Sequence, residues 1–495
     1  MTTTALENYF RPFRNNVVGI EHQHDFKQSP LTILYADWAA SGRLYKPIEE
    51  YISDSLGPYV ANTHTETSLT GCTMTHAYHQ AREIIKAHVG ANEEDVLLFD
   101  GFGMTAVVNK FQRMLNLRHG KSSHVEEQSG EDCKQRPLVV ITHLEHHSNQ
   151  ISWLECDVDV VIIEPDGNGY PCLQNLEGIL QSNESRSLLI GSFTACSNVS
   201  GIFTPYYEMA ALMHKYGGYA CVDFSGSAPY VDMNMHPENS DQNLDAIFFS
   251  PHKFLGGPGS SGILVFNKKM YERSVPDHPG GGTVTWTDPW GGHGYHADIE
   301  TREDGGTPGF LQAIKASLAI LLKDEMGVEK MLAREHEQKE RLINGIKDQK
   351  VIHILELEKM QRLGFISFYS DQIHHNLFVK LLNDYYGIQA RGGCSCAGTY
   401  GHILLGVEPA ASQQIVRKIE RGDLTDKPGW VRISLHPVMS NKEIDHLIEG
   451  INGVVENYSH WADDYQFNRS SGEYECLSKR ESYINIKEHF SASII

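Results

Sequence analysis

Between about Thr70 and Lys330, short apolar runs alternate with amphipathic stretches of helix length. The runs are Val96–Phe99, Leu138–Thr142, Val160–Glu164, Leu188–Ser192, Ala220–Asp223, Ala246–Ser250 and Gly262–Phe266. Helical patterns such as Pro205–Lys215 lie between them. This alternation predicts an α/β fold, a mostly parallel sheet covered by helices. In such sheets ligands bind beyond the carboxyl ends of the strands. Asp223, Ser250 and the turn at Gly101 all fall at predicted strand ends, so they are expected to converge on one site.

Beyond about Gly327 the texture changes to charged helices and short strands, which predicts a second, smaller α+β domain. The expected division is an N-terminal segment 1–45 packing with that domain, a large domain 46–327, the small domain 328–466 and a tail 467–495. Residues 118–136 are polar and charged and read as a surface insertion. A chain of 495 residues has room for this plan.

A net charge of −21, from 42 Lys and Arg against 63 Asp and Glu, argues against nonspecific nucleic-acid binding. No apolar run reaches transmembrane length. The segment Met1 to Asn8 lacks the basic and apolar regions of a signal peptide. Nine cysteines in a chain this long are not a disulfide framework. The expectation is a cytoplasmic protein with reduced thiols and no membrane partner.

The run Ser250-Pro251-His252-Lys253 leaves an apolar strand and enters a glycine-rich turn. A lysine at the mouth of a buried strand is poorly placed for structure, because its charge must be solvated or neutralised. It is well placed to form a Schiff base with an aldehyde. Upstream, Tyr219–Asp223 is a second apolar strand ending in a carboxylate. A lysine for an aldehyde carbon and an aspartate for a pyridine nitrogen are the two groups that pyridoxal 5′-phosphate (PLP) chemistry most needs.

Other runs fit around that pair. Gly101 to Thr105, with Gly103 and Met104 between, joins a strand to the helical run Ala106–Leu115, and free N–H groups at a helix start bind anions. His146 follows the strand Leu138–Thr142 and could stack on a flat ring or shuttle a proton. Adjacent His146 and His147 on an extended segment point apart, so a shared metal is not expected. Gly257 to Gly262 matches G-x-G-x-x-G, but it opens a strand rather than a helix, which excludes a dinucleotide site. Thr307 and Pro308 precede the helix Phe310–Leu322 and read as its N-cap and first residue. Arg391 to Gly398 contains Cys394-Ser395-Cys396 in a glycine-rich loop, expected to be flexible and exposed. A thiol there is a nucleophile or sulfur carrier if its pKa is lowered, and Arg391 is a nearby cation. The alternatives are inert cysteine or half of a zinc site with no matching partner pair nearby. Arg432, on the strand Trp430–Ser434, could clamp a carboxylate or form a surface ion pair.

With these motifs in order, the chain resembles the class V aminotransferase group of fold-type I PLP enzymes, and within it the cysteine desulfurase and selenocysteine lyase branch. The resemblance runs from Tyr35-Ala36-Asp37-Trp38-Ala39-Ala40 to about Asp445. It implies an aspartate aminotransferase-like fold with a seven-stranded large-domain sheet, PLP as cofactor and no metal. It implies Lys253 as the Schiff-base lysine, Asp223 on the pyridine nitrogen and His146 against the ring. Gly103, Met104 and Thr105, with Ser250 and His252, correspond to the phosphate cradle. Ser225 falls among the cofactor-binding positions. Thr307 matches a residue that reaches the partner subunit's phosphate in a homodimer. Asn198 and Arg432 match the groups on the substrate carboxylate, and Cys396 the sulfur-accepting cysteine. The implied activity converts L-cysteine to alanine through an enzyme persulfide, passed to a sulfur-acceptor protein.

Three departures stand out. Gly226 occupies a position where the family often has Gln. Cys394 adds a second thiol to the loop, leaving two candidates for the reactive one. The stretch from about Gly398 to Gly429 is long. The competing expectations are another PLP reaction on a small amino acid (transamination, epimerisation, selenocysteine cleavage or β-elimination) and a sulfur-carrier scaffold with a structural PLP.

Overall fold

The computed structural model describes residues 4–27, 30–63, 65–118 and 136–478. The expected insertion at 118–136 lies almost wholly outside the described residues, as does the end of the tail from 479 onward. All seven predicted apolar runs are strands of one sheet. Its spatial order is Asp95–Asp100, Gly262–Asn267, Ala246–Phe249, Tyr219–Asp223, Leu189–Thr194, Leu138–Thr142 and Asp159–Ile163. Gly262–Asn267 runs antiparallel to both of its neighbours, and the remaining neighbours pair in parallel.

The runs are continuously apolar because both faces of the sheet are covered. Side chains alternate between the faces along each strand. Leu97, Val140, Val222 and Ile247 enter one core with Ile85, Met209, Ala316 and Ile320 from the helices Leu69–His88, Tyr206–Lys215 and Phe310–Met326. Leu98, Val139, Ile141, Cys221 and Phe248 enter the other, with Val107, Val108, Phe111 and Trp153 from the helices Met104–Met114 and His147–Leu154. Fully burying each such aliphatic or aromatic side chain contributes about 1.5–3 kcal/mol, so the sheet is a rigid platform for whatever leaves its strand ends.

A second, antiparallel sheet has the order Ile352–Ile354, Phe365–Ser370, Trp430–Ser434, Arg391–Gly393. The helices Val328–Ile346, His375–Tyr386 and Asn441–Trp461 pack into the same core as its strands. Phe10 of the helix Ala5–Arg14 is buried in this core too. Leu34–Tyr35 pairs in parallel with Ile388–Gln389, and the Ser434 N–H donates to the Ala36 carbonyl at 2.8 Å. Asp37 is thereby carried to the boundary between the two sheets. The chain beyond residue 467 is not simply a tail: Tyr465–Asn468 and Glu473–Cys476 form a hairpin, and Tyr465 donates to Asp384 at 2.7 Å.

Two helix starts differ from expectation. The first helix beyond the Gly101 turn begins at Met104, so Thr105 lies inside its first turn. Thr307 is not an N-cap. The helix starts at Phe310 with Gly309 as its cap and continues to Met326. The Phe310 N–H turns back to the Pro308 carbonyl at 2.8 Å, which places Thr307 and Pro308 in the preceding bend.

Candidate active site

A cavity of about 740 Å³ opens where the carboxyl ends of the central strands face the second sheet. Its walls carry Gly103, Met104, Thr105, His146, Asn198, Asp223, Ser225, Ser250, His252, Lys253, Cys396 and Arg432. Of the candidate residues drawn from the sequence, Thr307 and Cys394 are not among its lining. The Thr307 side chain is exposed, and its hydroxyl accepts from Asn62 Nδ2 at 3.4 Å.

Lys253 ends a single turn of 3₁₀ helix, Pro251–Lys253, directly after the strand Ala246–Phe249. The glycine run beyond it exists for packing: a Cβ on Gly257 would overlap the Pro251 carbonyl oxygen. The surface that Lys253 keeps faces the cavity, and protein surrounds its ammonium. Burial lowers its pKa to about 8, against the opposing pull of Asp223, while Arg432 and Arg391 push the same way as burial. The neutral amine is the reactive form. In cofactor-free protein, reductive alkylation of Lys253 by a small aldehyde is therefore expected to titrate with a midpoint about pH 8. A midpoint at the ordinary 10.5 would contradict this reading of the site.

Asp223, buried at its strand end, accepts from the Ser225 N–H at 2.8 Å. Burial raises its pKa, and the hydrogen bonding at Ser225 with the Lys253 charge opposes the shift. His146 caps the helix His147–Leu154, its Nδ1 accepting from the Ser148 N–H at 3.1 Å. A backbone N–H can only donate, so the neutral ring carries its proton on Nε2. Burial first, then the Lys253 charge, lowers the His146 pKa to about 3. His252 takes the opposite tautomer, because its Nδ1 faces the Phe102 carbonyl at 2.7 Å and must donate.

The start of the helix Met104–Met114 forms one end of the cavity. Gly103 caps it without a side chain, and the Met104 N–H donates to Ser250 Oγ at 2.8 Å. A Cβ on Gly103 would lie 2.8 Å from His252 Cε1 and 3.0 Å from Ser250 Oγ, so only glycine lets the turn close on these groups. Thr105 Oγ1 lies 2.6 Å from Ser148 Oγ. Hydroxyls, an imidazole and a helix N-terminus at one end make a cradle for an anion.

Arg432 is neither free nor on the surface. Its Nη2 donates to Asp37 at 2.6 Å and its Nη1 to the Asn198 carbonyl at 3.0 Å. Arg432 Nε, Asn198 Oδ1 and Ser225 Oγ are buried without hydrogen-bond partners. Three orphaned polar atoms in one cavity fit a polar ligand, since leaving such groups unpaired is costly. With an anion cradle, a desolvated lysine and a buried aspartate lining one cavity, the residues fit PLP.

The cysteine loop departs from expectation: it is pinned rather than free. Ser395 is buried, its carbonyl accepting from Asn198 Nδ2 at 2.7 Å and its hydroxyl from Trp430 Nε1 at 3.2 Å. Cys394 and Cys396 are both free thiols. Cys396 lines the cavity, whereas Cys394 packs against the cluster of Leu144, Val199, Leu355, Ala397, Tyr400 and Trp430.

Residues 34–447 match the aminotransferase class-V family. The chain belongs to that family. The class-V enzymes are PLP-dependent, and the chain is a PLP enzyme of the aspartate aminotransferase-like fold. A probable cysteine desulfurase of Halalkalibacterium halodurans is 24% identical over 448 residues, 87% of this chain and 95% of that one. A probable cysteine desulfurase of Staphylococcus aureus is 25% identical over 383 residues, 75% of this chain and 85% of its own length. Among solved structures, the cysteine desulfurase CsdA of Escherichia coli superposes with a TM-score of 0.70 at 18% identity, covering 90% of this chain and 98% of that chain. The cysteine desulfurase of Thermococcus onnurineus gives 0.68 at 21%, covering 86% and 95%.

Some groups in or next to the cavity lining were not singled out by the sequence motifs. Asp37, paired with Arg432, had a signal: one carboxylate within the otherwise apolar Tyr35 to Ala40. Glu145, the residue before His146, is buried and accepts from Thr142, Asn149 and Thr194. Burial raises its pKa to about 7. Nothing in sequence marks Ser148 as a neighbour of Thr105, because the sheet brings those two helix starts together.

Proposed function

We propose that this class-V enzyme is a cysteine desulfurase, taking sulfur from L-cysteine, leaving alanine and holding the sulfur as a persulfide on Cys396. The observation that carries this is one cavity lined by Lys253, Cys396 and Asp223 together. The names of the relatives point the same way.

PLP, bound in the cradle, supplies an aldehyde for the substrate amine and a ring that accepts electrons. Gly103, Met104, Thr105, Ser250 and His252 would hold its phosphate, Asp223 would keep a proton on its ring nitrogen, and Ser225 and His146 would complete the site around it. Lys253, with its lowered pKa, moves the proton of the substrate α-carbon. Asn198 and Arg432 hold the substrate carboxylate, which must share Arg432 with Asp37 and can take its unpartnered Nε. The Cys396 thiolate attacks the substrate sulfur. An S–S bond forms, the C–S bond breaks, and its electron pair takes a proton to leave alanine. His146, neutral with its proton on Nε2, offers that N–H as a hydrogen-bond donor at the thiol.

The same reading makes the enzyme a cytoplasmic homodimer that hands its persulfide to a sulfur-acceptor protein. It is supported by the exposed Thr307, which the reading places at the partner's phosphate, and by Phe102, 80% exposed on the cavity rim. It keeps the division into 1–45, 46–327, 328–466 and 467–495. The test is reduced, PLP-loaded protein mixed with L-cysteine. Without added reductant, one alanine per site is expected, with one sulfur atom added to the peptide bearing Cys396; with an added dithiol to reduce that persulfide, alanine and sulfide are expected in equal amounts. A change in the cofactor band without alanine would sink the proposal.

A further inference from the structure

We propose that His147 is a positioning residue whose backbone and ring together clamp the Cys396 loop against the turn that carries His146. The inference rests on Cys396 being the sulfur acceptor.

The loop needs a clamp. Ser395 and Cys396 follow one another with φ of +50° and +57°. Side chains disfavour this left-handed region, and it persists only where the surroundings over-determine it. Two of the bonds that do so come from His147. Its N–H donates to the Cys396 carbonyl at 2.8 Å, and its Nε2 accepts from the Gly398 N–H at 2.9 Å. The two bonds hold the backbone from the Cys396 carbonyl to the Gly398 N–H, from one residue more than 240 positions earlier in the chain.

Gly398 is fitted to the ring, since a Cβ there would sit 3.0 Å from His147 Nε2. An N–H can only donate, so Nε2 carries the lone pair and the neutral ring holds its proton on Nδ1. Burial, with Lys427 nearby, keeps the His147 pKa below the ordinary value, which preserves that acceptor at neutral pH. His146 has the reverse tautomer. The adjacent histidines therefore divide the work: His146 lines the cavity, and His147 holds the loop that brings the thiol to it.

The experiment compares PLP-loaded wild type, His147→Leu and His147→Gln. Leu removes the acceptor; Gln can return a carbonyl oxygen to the place of Nε2. Amide exchange across residues 394–400 is read by mass spectrometry, and L-cysteine turnover is resolved into kcat and KM. His147→Leu is expected to raise exchange in that segment at least about tenfold. It is expected to lower kcat about tenfold or more with KM little changed, because a misplaced nucleophile loses rate rather than binding. His147→Gln is expected to recover most of both. The cofactor band verifies that each variant has folded. Unchanged exchange in His147→Leu overturns the clamp. Raised exchange with unchanged kcat overturns its part in the reaction. Turnover that survives Cys396→Ser overturns the desulfurase reading instead, a failure recognisable because the exchange result does not depend on it.

Discussion

Replacing Lys253 by Ala is expected to lower alanine formation from L-cysteine about 10⁴-fold, the upper end of what one positioned proton-transfer group contributes. The structural reason is the environment of the amine. Burial brings its pKa down to about 8, so a useful fraction is neutral at physiological pH and can take a proton. Lys253→Arg keeps length and charge but cannot give up its proton at neutral pH, so it is expected to be as inactive as the Ala variant. Both variants should still bind PLP noncovalently, because Gly103, Ser250 and His252 form the anion cradle without the lysine amine. Steady-state alanine assays and the cofactor spectrum check both statements. An Arg variant with a tenth or more of wild-type turnover, about 1.4 kcal/mol or less of lost transition-state stabilisation, would remove Lys253 from the proton transfer.

Replacing Cys396 by Ser is expected to reduce sulfide and alanine production at least about a hundredfold, since a hydroxyl is a far weaker nucleophile than a thiolate. The nearly isosteric Ser keeps the loop and its bonds to His147 and Asn198, so PLP binding and the spectral response to L-cysteine should persist. Cys394→Ser is the control. Cys394 packs into an apolar cluster away from the cavity, so its replacement should leave turnover within about threefold of wild type. Turnover that persists in Cys396→Ser would favour another PLP reaction, with the loop serving structure alone. Loss of activity in Cys394→Ser alone would move the persulfide to the other thiol.

The three largest disagreements between sequence and structure share a cause. Arg432 by itself read more readily as a surface ion pair than as a carboxylate clamp, and it is a buried arginine bound to Asp37, 395 positions away. The C-x-C loop read as flexible because glycine and serine carry no local structural preference, yet Asn198, Trp430 and His147 pin it from three distant segments. Thr307 and Pro308 read as a helix start by local chemistry, but the chain turns once more before the helix begins at Phe310.

The sequence by itself determined the seven-stranded sheet, its covering helices, and the lysine and aspartate at its strand ends. Apolar periodicity and strand-end chemistry are local, so each segment carries its own record of them. The packing of the two sheets decided the rest: which thiol faces the cavity, which donor of Arg432 has no hydrogen-bond partner, and which nitrogen of His146 and of His147 carries the proton. These depend on contacts between residues hundreds of positions apart, and on burial that no single segment can specify.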